Sequence, residues 1–132
     1  MNVTTASEIS VALENRRGQL AHVCACLAEK KVNVLAVSLV DSATMGVVRM
    51  VVDKPVVALK MLTGCPMTVS EREVLLLELP NRAGVLAETA DRLAGKRITI
   101  EYVYGSTRGR GTAILVLAVP NVKRALEVLR GK

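Results

Sequence analysis

The residues in this chain best suited to chemistry are amides and backbone donors rather than nucleophiles. Asn15-Arg16-Arg17-Gly18-Gln19-Leu20-Ala21 joins a strand-like stretch to a helix-like one, and the pattern recurs half of the 132-residue chain later as Asn81-Arg82-Ala83-Gly84-Val85-Leu86-Ala87. A carboxamide offers both an acceptor and donors, and glycine lets the backbone approach closely or take positive φ. The N–H groups that open a helix lack intrahelical partners and sit at the positive end of its dipole. Such a loop suits a molecule bearing a carboxylate and an ammonium, that is, a free amino acid. The same residues have plainer uses, since Asn before a helix is a common N-cap and Gly is a common turn residue. Arg16 and Arg82 are placed to reach a carboxylate, although exposed loop arginines are usually solvated.

No catalytic constellation competes with this loop. His22 is the sole histidine and falls inside a helical pattern, with no nucleophile motif to serve. Cys24, Cys26 and Cys65 lack metal-ligand spacing and read as buried structural thiols, because free Cys packs as a small hydrophobe. Gly105-Ser106-Thr107-Arg108-Gly109-Arg110-Gly111 joins two strands and lacks the strand-loop-helix context and Lys-Ser/Thr ending of a phosphate loop. The expectation is a non-enzyme with no catalytic residues, no metal and no cofactor.

The elements that must position the loop also come in duplicate. Ile9, Val11 and Leu13 alternate with Ser10, Ala12 and Glu14, and Leu75, Leu77 and Leu79 repeat them, the period-2 mark of a half-buried strand. Leu20, Val23 and Leu27, then Leu86, Ala90 and Leu93, fall at helical spacing. Strands follow over Val32 to Val40 and Ile98 to Val103, turns over Ser42 to Gly46 and Gly105 to Gly111, and strands over Val47 to Val52 and Thr112 to Val119. Pro55 and Pro120 stand where a helix's first turn tolerates proline. Val57 and Met61, and Val122, Leu126 and Leu129, supply the expected apolar stripes.

The first half has a further strand, Met67 to Ser70, for which the second half has no counterpart after its last helix. In the repeat register Met1 to Thr4 matches Met67 to Ser70. Residues 1–5 are therefore predicted to complete the second sheet, because an absent strand would leave an open edge of N–H and C=O groups. The fold class is α+β: two ferredoxin-like βαββαβ domains, each an antiparallel four-stranded sheet with two helices on one face. The first domain is set at 6–72 and the second at 73–132 with residues 1–5 as its last strand.

The repeated loop resembles the (Asp/Asn)-Arg-Pro-Gly-x-Leu signature of ACT domains, and the resemblance covers nearly the whole chain as two tandem copies. Arg17 and Ala83 replace the proline, which loosens the turn without removing its donors. The resemblance implies a stand-alone amino-acid-binding regulatory protein, an allosteric ligand sensor that works through paired domains. Serine-sensing ACT domains similar to this pattern contact ligand through the motif asparagine and a second asparagine opening the next strand. Asn33 lies at that place in the first half, and Thr99 is its counterpart. The implied site thus uses Asn15, Arg16, Gly18, Gln19, Leu20 and Asn33, with Asn81, Gly84, Val85 and Leu86 as a lesser second set. The ligand is expected between domains or subunits.

Implied partners are an amino acid, a second copy in a homodimer and an effector protein outside the chain. The alternative is a scaffold that uses the same paired sheets to contact a protein, without a small ligand. An RNA-binding reading is disfavoured. The net charge of +6 is dispersed, and a chain with no Phe and no Trp lacks the stacking platforms that single strands need. With 51% hydrophobic residues but only strand-length apolar runs, no membrane span is expected, nor a secretory signal at Met1 to Thr5, so the cytoplasm is the expected location.

Overall fold

The computed structural model of the chain describes residues 1–14, 17–41, 45–65, 67–107, 109 and 111–131. The elements run β1 (Asn2–Glu14), α1 (Gln19–Glu29), β2 (Val34–Asp41), β3 (Met45–Val52), α2 (Pro55–Thr63), β4 (Thr68–Pro80), α3 (Val85–Gly95), β5 (Tyr102–Thr107), β6 (Thr112–Ala118) and α4 (Val122–Arg130). They divide into two compact units, Ser7–Arg72 and Met1–Ala6 with Glu73–Lys132.

In the N-terminal unit the strands lie in the order β2-β3-β1-β4, and β1 and β2 both run antiparallel to β3. Alternation puts Ile9, Val11 and Leu13 of β1 and Val48, Met50 and Val52 of β3 on one face. That face meets Val23 and Leu27 of α1 and Ala58 and Leu62 of α2 in a single apolar core, with Met67 and Val69 partly packed against it. The C-terminal unit repeats the plan in the order β1-β4-β6-β5, with β4 and β5 antiparallel to β6. Leu75, Leu77, Leu79 and Leu117 form its inner sheet face under Leu93 of α3 and Ala125 and Leu129 of α4. Each unit is an α+β, ferredoxin-like sheet with two helices.

The N-terminal strand completes the second sheet, as the repeat register predicts. Val3 is buried in the C-terminal core. Thr4 Oγ1 donates to Leu76 O at 3.4 Å, and Arg130 donates from Nε and Nη2 to Val3 O at 3.2 and 2.9 Å.

Three expectations need correction. The first segment of each half is not a separate short strand: β1 and β4 are each one continuous 13-residue strand, so Met67 to Ser70 leads without a break into Leu75 to Leu79. The helical stripes shift only in part: α2 buries Ala58 and Leu62 rather than the exposed Val57, with Met61 partly packed against the core, and α4 buries the expected Leu129 together with Ala125, with Val122 and Leu126 partly packed beside them. The strand expected from Ile98 begins only at Tyr102, and it extends through Gly105 into the segment expected to turn. Among the described residues no helix is long and apolar enough to cross a membrane.

Candidate functional site

The repeated loop opens both first helices in the same unusual way. Gly18 precedes α1 at φ 85° and Gly84 precedes α3 at φ 90°, a left-handed conformation that glycine alone adopts at little cost. Gly18 O accepts from His22 N–H, and Gly84 O from Glu88 N–H, both at 2.9 Å, so each glycine closes its helix's first turn. Among the described residues neither helix has a side-chain cap at this end. The contrast is α4, where the Asn121 side-chain oxygen Oδ1 accepts from Arg124 N–H at 3.0 Å. A side chain built at Gly18 or Gly84 would meet nothing within 4 Å, so the space above both turns is open.

Above Gly18 that space becomes a cavity of about 250 Å³. Gly18, Gln19 and Leu20 from the α1 terminus line it, together with Leu13 and Glu14 from the end of β1, Leu39 and Asp41 from β2, and Gly46 from β3. The positive end of the α1 dipole thus borders the cavity, Glu14 and Asp41 are the acidic residues of its lining, and the leucines contribute apolar wall. The arrangement suits a small zwitterion with an apolar side chain. Glu14, Leu39 and Asp41 are absent from the sequence-based site, since a loop motif identifies its own residues and not the strand ends that fold over it.

The second loop is arranged differently. Asn81 Nδ2 donates to Gly109 O and Asn81 N–H donates to Gly111 O at 2.9 Å, so this asparagine ties the loop to the β5–β6 hairpin. Arg82 forms a two-pronged ion pair with Glu88 at 3.2 and 2.6 Å. The hydrogen bonds from Arg82 hold the Glu88 carboxyl below its usual range, and Glu88 raises the guanidinium in turn. Val85 is half-buried and Leu86 is exposed. Both polar residues of this copy are thus engaged in holding their own loop.

Asn15 and Arg16 lie outside the described residues. Asn33 lies at the far end of α1 from Gly18: the 11-residue helix separates them by ~16 Å. Its N–H donates to Asp53 Oδ1 at 2.8 Å and its carbonyl accepts from Asp53 N–H at 3.0 Å, which joins the start of β2 to the turn after β3. Within the N-terminal unit, therefore, Gly18, Gln19 and Leu20 share one cavity, and Asn33 does not line it. Thr99 lines a separate recess beside α3 with Ala90, Ala94 and Ile98.

Two duplicated sheets, each with a left-handed glycine opening its first helix, match a known family over residues 4–132, described as the ACT domain pair. The chain belongs to that family. No curated protein matches this ACT domain pair significantly. Among solved structures it is similar to protein BT0572 from Bacteroides thetaiotaomicron, at 30% identity and a TM-score of 0.91, with 98% of this chain and 90% of that one covered. The regulatory subunit of aspartate kinase from Thermus thermophilus, solved free of ligand, shares the fold at 16% identity and a TM-score of 0.71, over 98% and 96% of the two chains. E. coli aspartokinase III, solved with lysine and aspartate, shares it at 16% identity and a TM-score of 0.57, over 97% of this chain and 31% of that one.

Proposed function

We propose that this ACT domain pair is a non-catalytic regulatory protein of the cytoplasm that senses an amino acid and passes the signal allosterically to an effector protein. The observation that carries the reading is the Gly18 cavity, which the α1 N-terminus lines together with Glu14, Asp41 and apolar side chains. The α-carboxylate takes the α1 end and the ammonium takes the carboxylates. At about 250 Å³ the cavity is smaller than the ~300–1,000 Å³ typical of drug-sized sites, which favours a small metabolite. The lysine and aspartate held by E. coli aspartokinase III lend support, since that protein has the same fold.

The two domains are taken as residues 6–72 and 73–132 with 1–5. The first loop is the principal site, because Asn81 and Arg82 of the second are occupied in loop contacts. Asn15 and Arg16 belong to the same proposal, and Asn33 enters a site only if a second copy brings it to the Gly18 loop. A homodimer that covers the exposed apolar residues of β2 completes the assembly.

Thermal unfolding against each common amino acid tests the reading. A true ligand at ~100 times its dissociation constant adds ~2.7 kcal/mol, a shift of several degrees. Asp41→Asn is expected to weaken that response at least tenfold in apparent affinity. A chain that responds to none of them would instead be a scaffold.

A further inference from the structure

The two copies of the fold part company where the first helix of each returns to its sheet. In the N-terminal unit the backbone of Asn33 exchanges two hydrogen bonds with Asp53, donating to Oδ1 at 2.8 Å and accepting from N–H at 3.0 Å. Asp53 stands immediately before Lys54, the N-cap of α2. The N-cap of α4 is Asn121, so the residue in Asp53's place is Pro120, which has neither a carboxylate nor an N–H. That exchange is therefore closed to Thr99, the counterpart of Asn33, and among the described residues neither its N–H nor its hydroxyl has a hydrogen-bonding partner. Regular pairing follows Asn33 at once, with β2 from Val34, whereas β5 starts only at Tyr102. Beside Thr99 lies an open recess of about 510 Å³, walled by Ala90 and Ala94 of α3 and by the segment Arg97 to Ile100. The two alanines, one turn apart, are too small to fill it; the counterpart of Ala90 on α1 is Cys24, which is exposed and not buried as its apolar neighbours suggest. Ile98 is buried and Ile100 half-buried, so much of the wall is apolar. Arg97 is the one charged residue in this lining, and among the described residues it has no ion-pair partner.

We propose that this recess binds a small aliphatic carboxylic acid that carries no ammonium group, its carboxylate held by Arg97 and Thr99 in the role that Asp53 plays for Asn33. A guanidinium matches a carboxylate with two parallel N–H donors, and Thr99 adds its N–H and hydroxyl. The aliphatic chain covers Ala90, Ala94, Ile98 and Ile100, which a bare inorganic anion would leave in water. The lining holds no acidic residue, so the ammonium of an amino acid would lose its water without gaining a partner. In that respect it is the opposite of the Gly18 cavity, whose lining includes Glu14 and Asp41. The negative pole of α3 lies at this end and opposes an anion, but its carbonyls are already engaged. Leu93 O accepts from Lys96 and Ile98 N–H, Ala94 O from Arg97 N–H, and Lys96 O from the Arg124 guanidinium at 2.7 Å. The 11-residue α3 sets the recess ~16 Å from the Gly84 loop. It is thus a separate site, and it stands whether or not the Gly18 cavity takes an amino acid.

Titration of the full chain with 4-methylpentanoate, followed by proton–nitrogen NMR, tests this against three comparison compounds. Leucine adds an ammonium to the same body, 4-methyl-1-pentanol lacks the carboxylate and acetate lacks the chain. The acid is expected to shift the Thr99 and Ile100 amides saturably, with an affinity there about tenfold or more above that of each comparison compound. Arg97 and its counterpart Lys31 both have left-handed backbone, at φ 59° and 56°, which glycine accepts readily. Arg97→Gly should therefore fold and bind the acid about tenfold more weakly, while Lys31→Gly binds it as the parent does. Pro120→Asp supplies the missing carboxylate and should also weaken the acid; if it does not fold, the two glycine variants decide the matter. No saturable shift at Thr99, an equal affinity for leucine or for acetate, or an Arg97→Gly chain that binds as tightly as the parent would each overturn the proposal.

Discussion

At the level of single residues, the glycines separate two kinds of constraint. Gly105 lies inside β5, where a Cβ would come within 2.1 Å of Ile114 O and 2.9 Å of Leu115 Cα, so the two backbones meet with no room for a side chain. Gly105→Ala must push β5 from β6, and a loss of about 3 kcal/mol is expected from overpacking against backbone that cannot repack. Gly18→Ala, with open space above it but φ 85°, should lose only ~1–2 kcal/mol from its left-handed backbone. Denaturant titration of both variants checks the order, and equal losses would contradict it. The Arg82–Glu88 pair yields a pH prediction. Because Arg82 lowers the folded pKa of Glu88, the pair's contribution is fully present above the unfolded value of about 4.3 and is lost as pH falls through the lower folded value. Both side chains are exposed, so the effect is small and screened by salt. The parent should exceed Glu88→Gln in unfolding midpoint at neutral pH, and the two should converge in strong acid; a gap of constant size across that range would contradict the assignment.

Among the elements, β1 bears the sharpest expectation, since its first residues belong to the unit formed mainly by the second half of the chain. Val3→Ala removes a buried side chain from that core and should cost about 2 kcal/mol. Removing residues 1–6 takes away Val3 and also the carbonyl to which Arg130 donates, so hydrogen exchange should accelerate in β6 and α4 more than in α2. Equal protection in the truncated and full chains would show that the strand is dispensable. This strand was legible in the sequence because the repeat register identified both the missing element and its substitute. The continuity of β1 and β4 was not legible, since neither Ala6-Ser7-Glu8 nor Ser70-Glu71-Arg72 carries the apolar alternation that marks a strand. The facing of α2 was also hidden: Val56, Val57, Ala58, Leu59, Met61 and Leu62 are apolar almost all round, so spacing alone cannot choose between adjacent stripes. Packing buried Ala58, the smallest of them, together with Leu62.

For the molecule as a whole, the loop half of the candidate site was readable and the wall half was not. Gly18, Gln19 and Leu20 stand together in one motif, whereas Glu14, Leu39 and Asp41 come from the ends of two strands that only the tertiary fold brings beside them. The same strand β2 governs the proposed assembly. It ends the strand order of the N-terminal unit and exposes Leu35, Val37 and Leu39 at 53%, 54% and 49% of their surface. A row of apolar side chains beside unpaired backbone groups invites pairing with another strand. A second copy related by a two-fold axis can set β2 antiparallel to β2, which satisfies both edges with one self-complementary contact. Val37 is central in that row, so Val37→Lys would place two ammonium groups in a single apolar seam. Sedimentation equilibrium should find the parent as a dimer that dissociates on dilution and Val37→Lys as a monomer with an unchanged circular dichroism spectrum. A parent that is monomeric at every concentration, or a variant that dimerises as tightly as the parent, would rule out this edge as the interface.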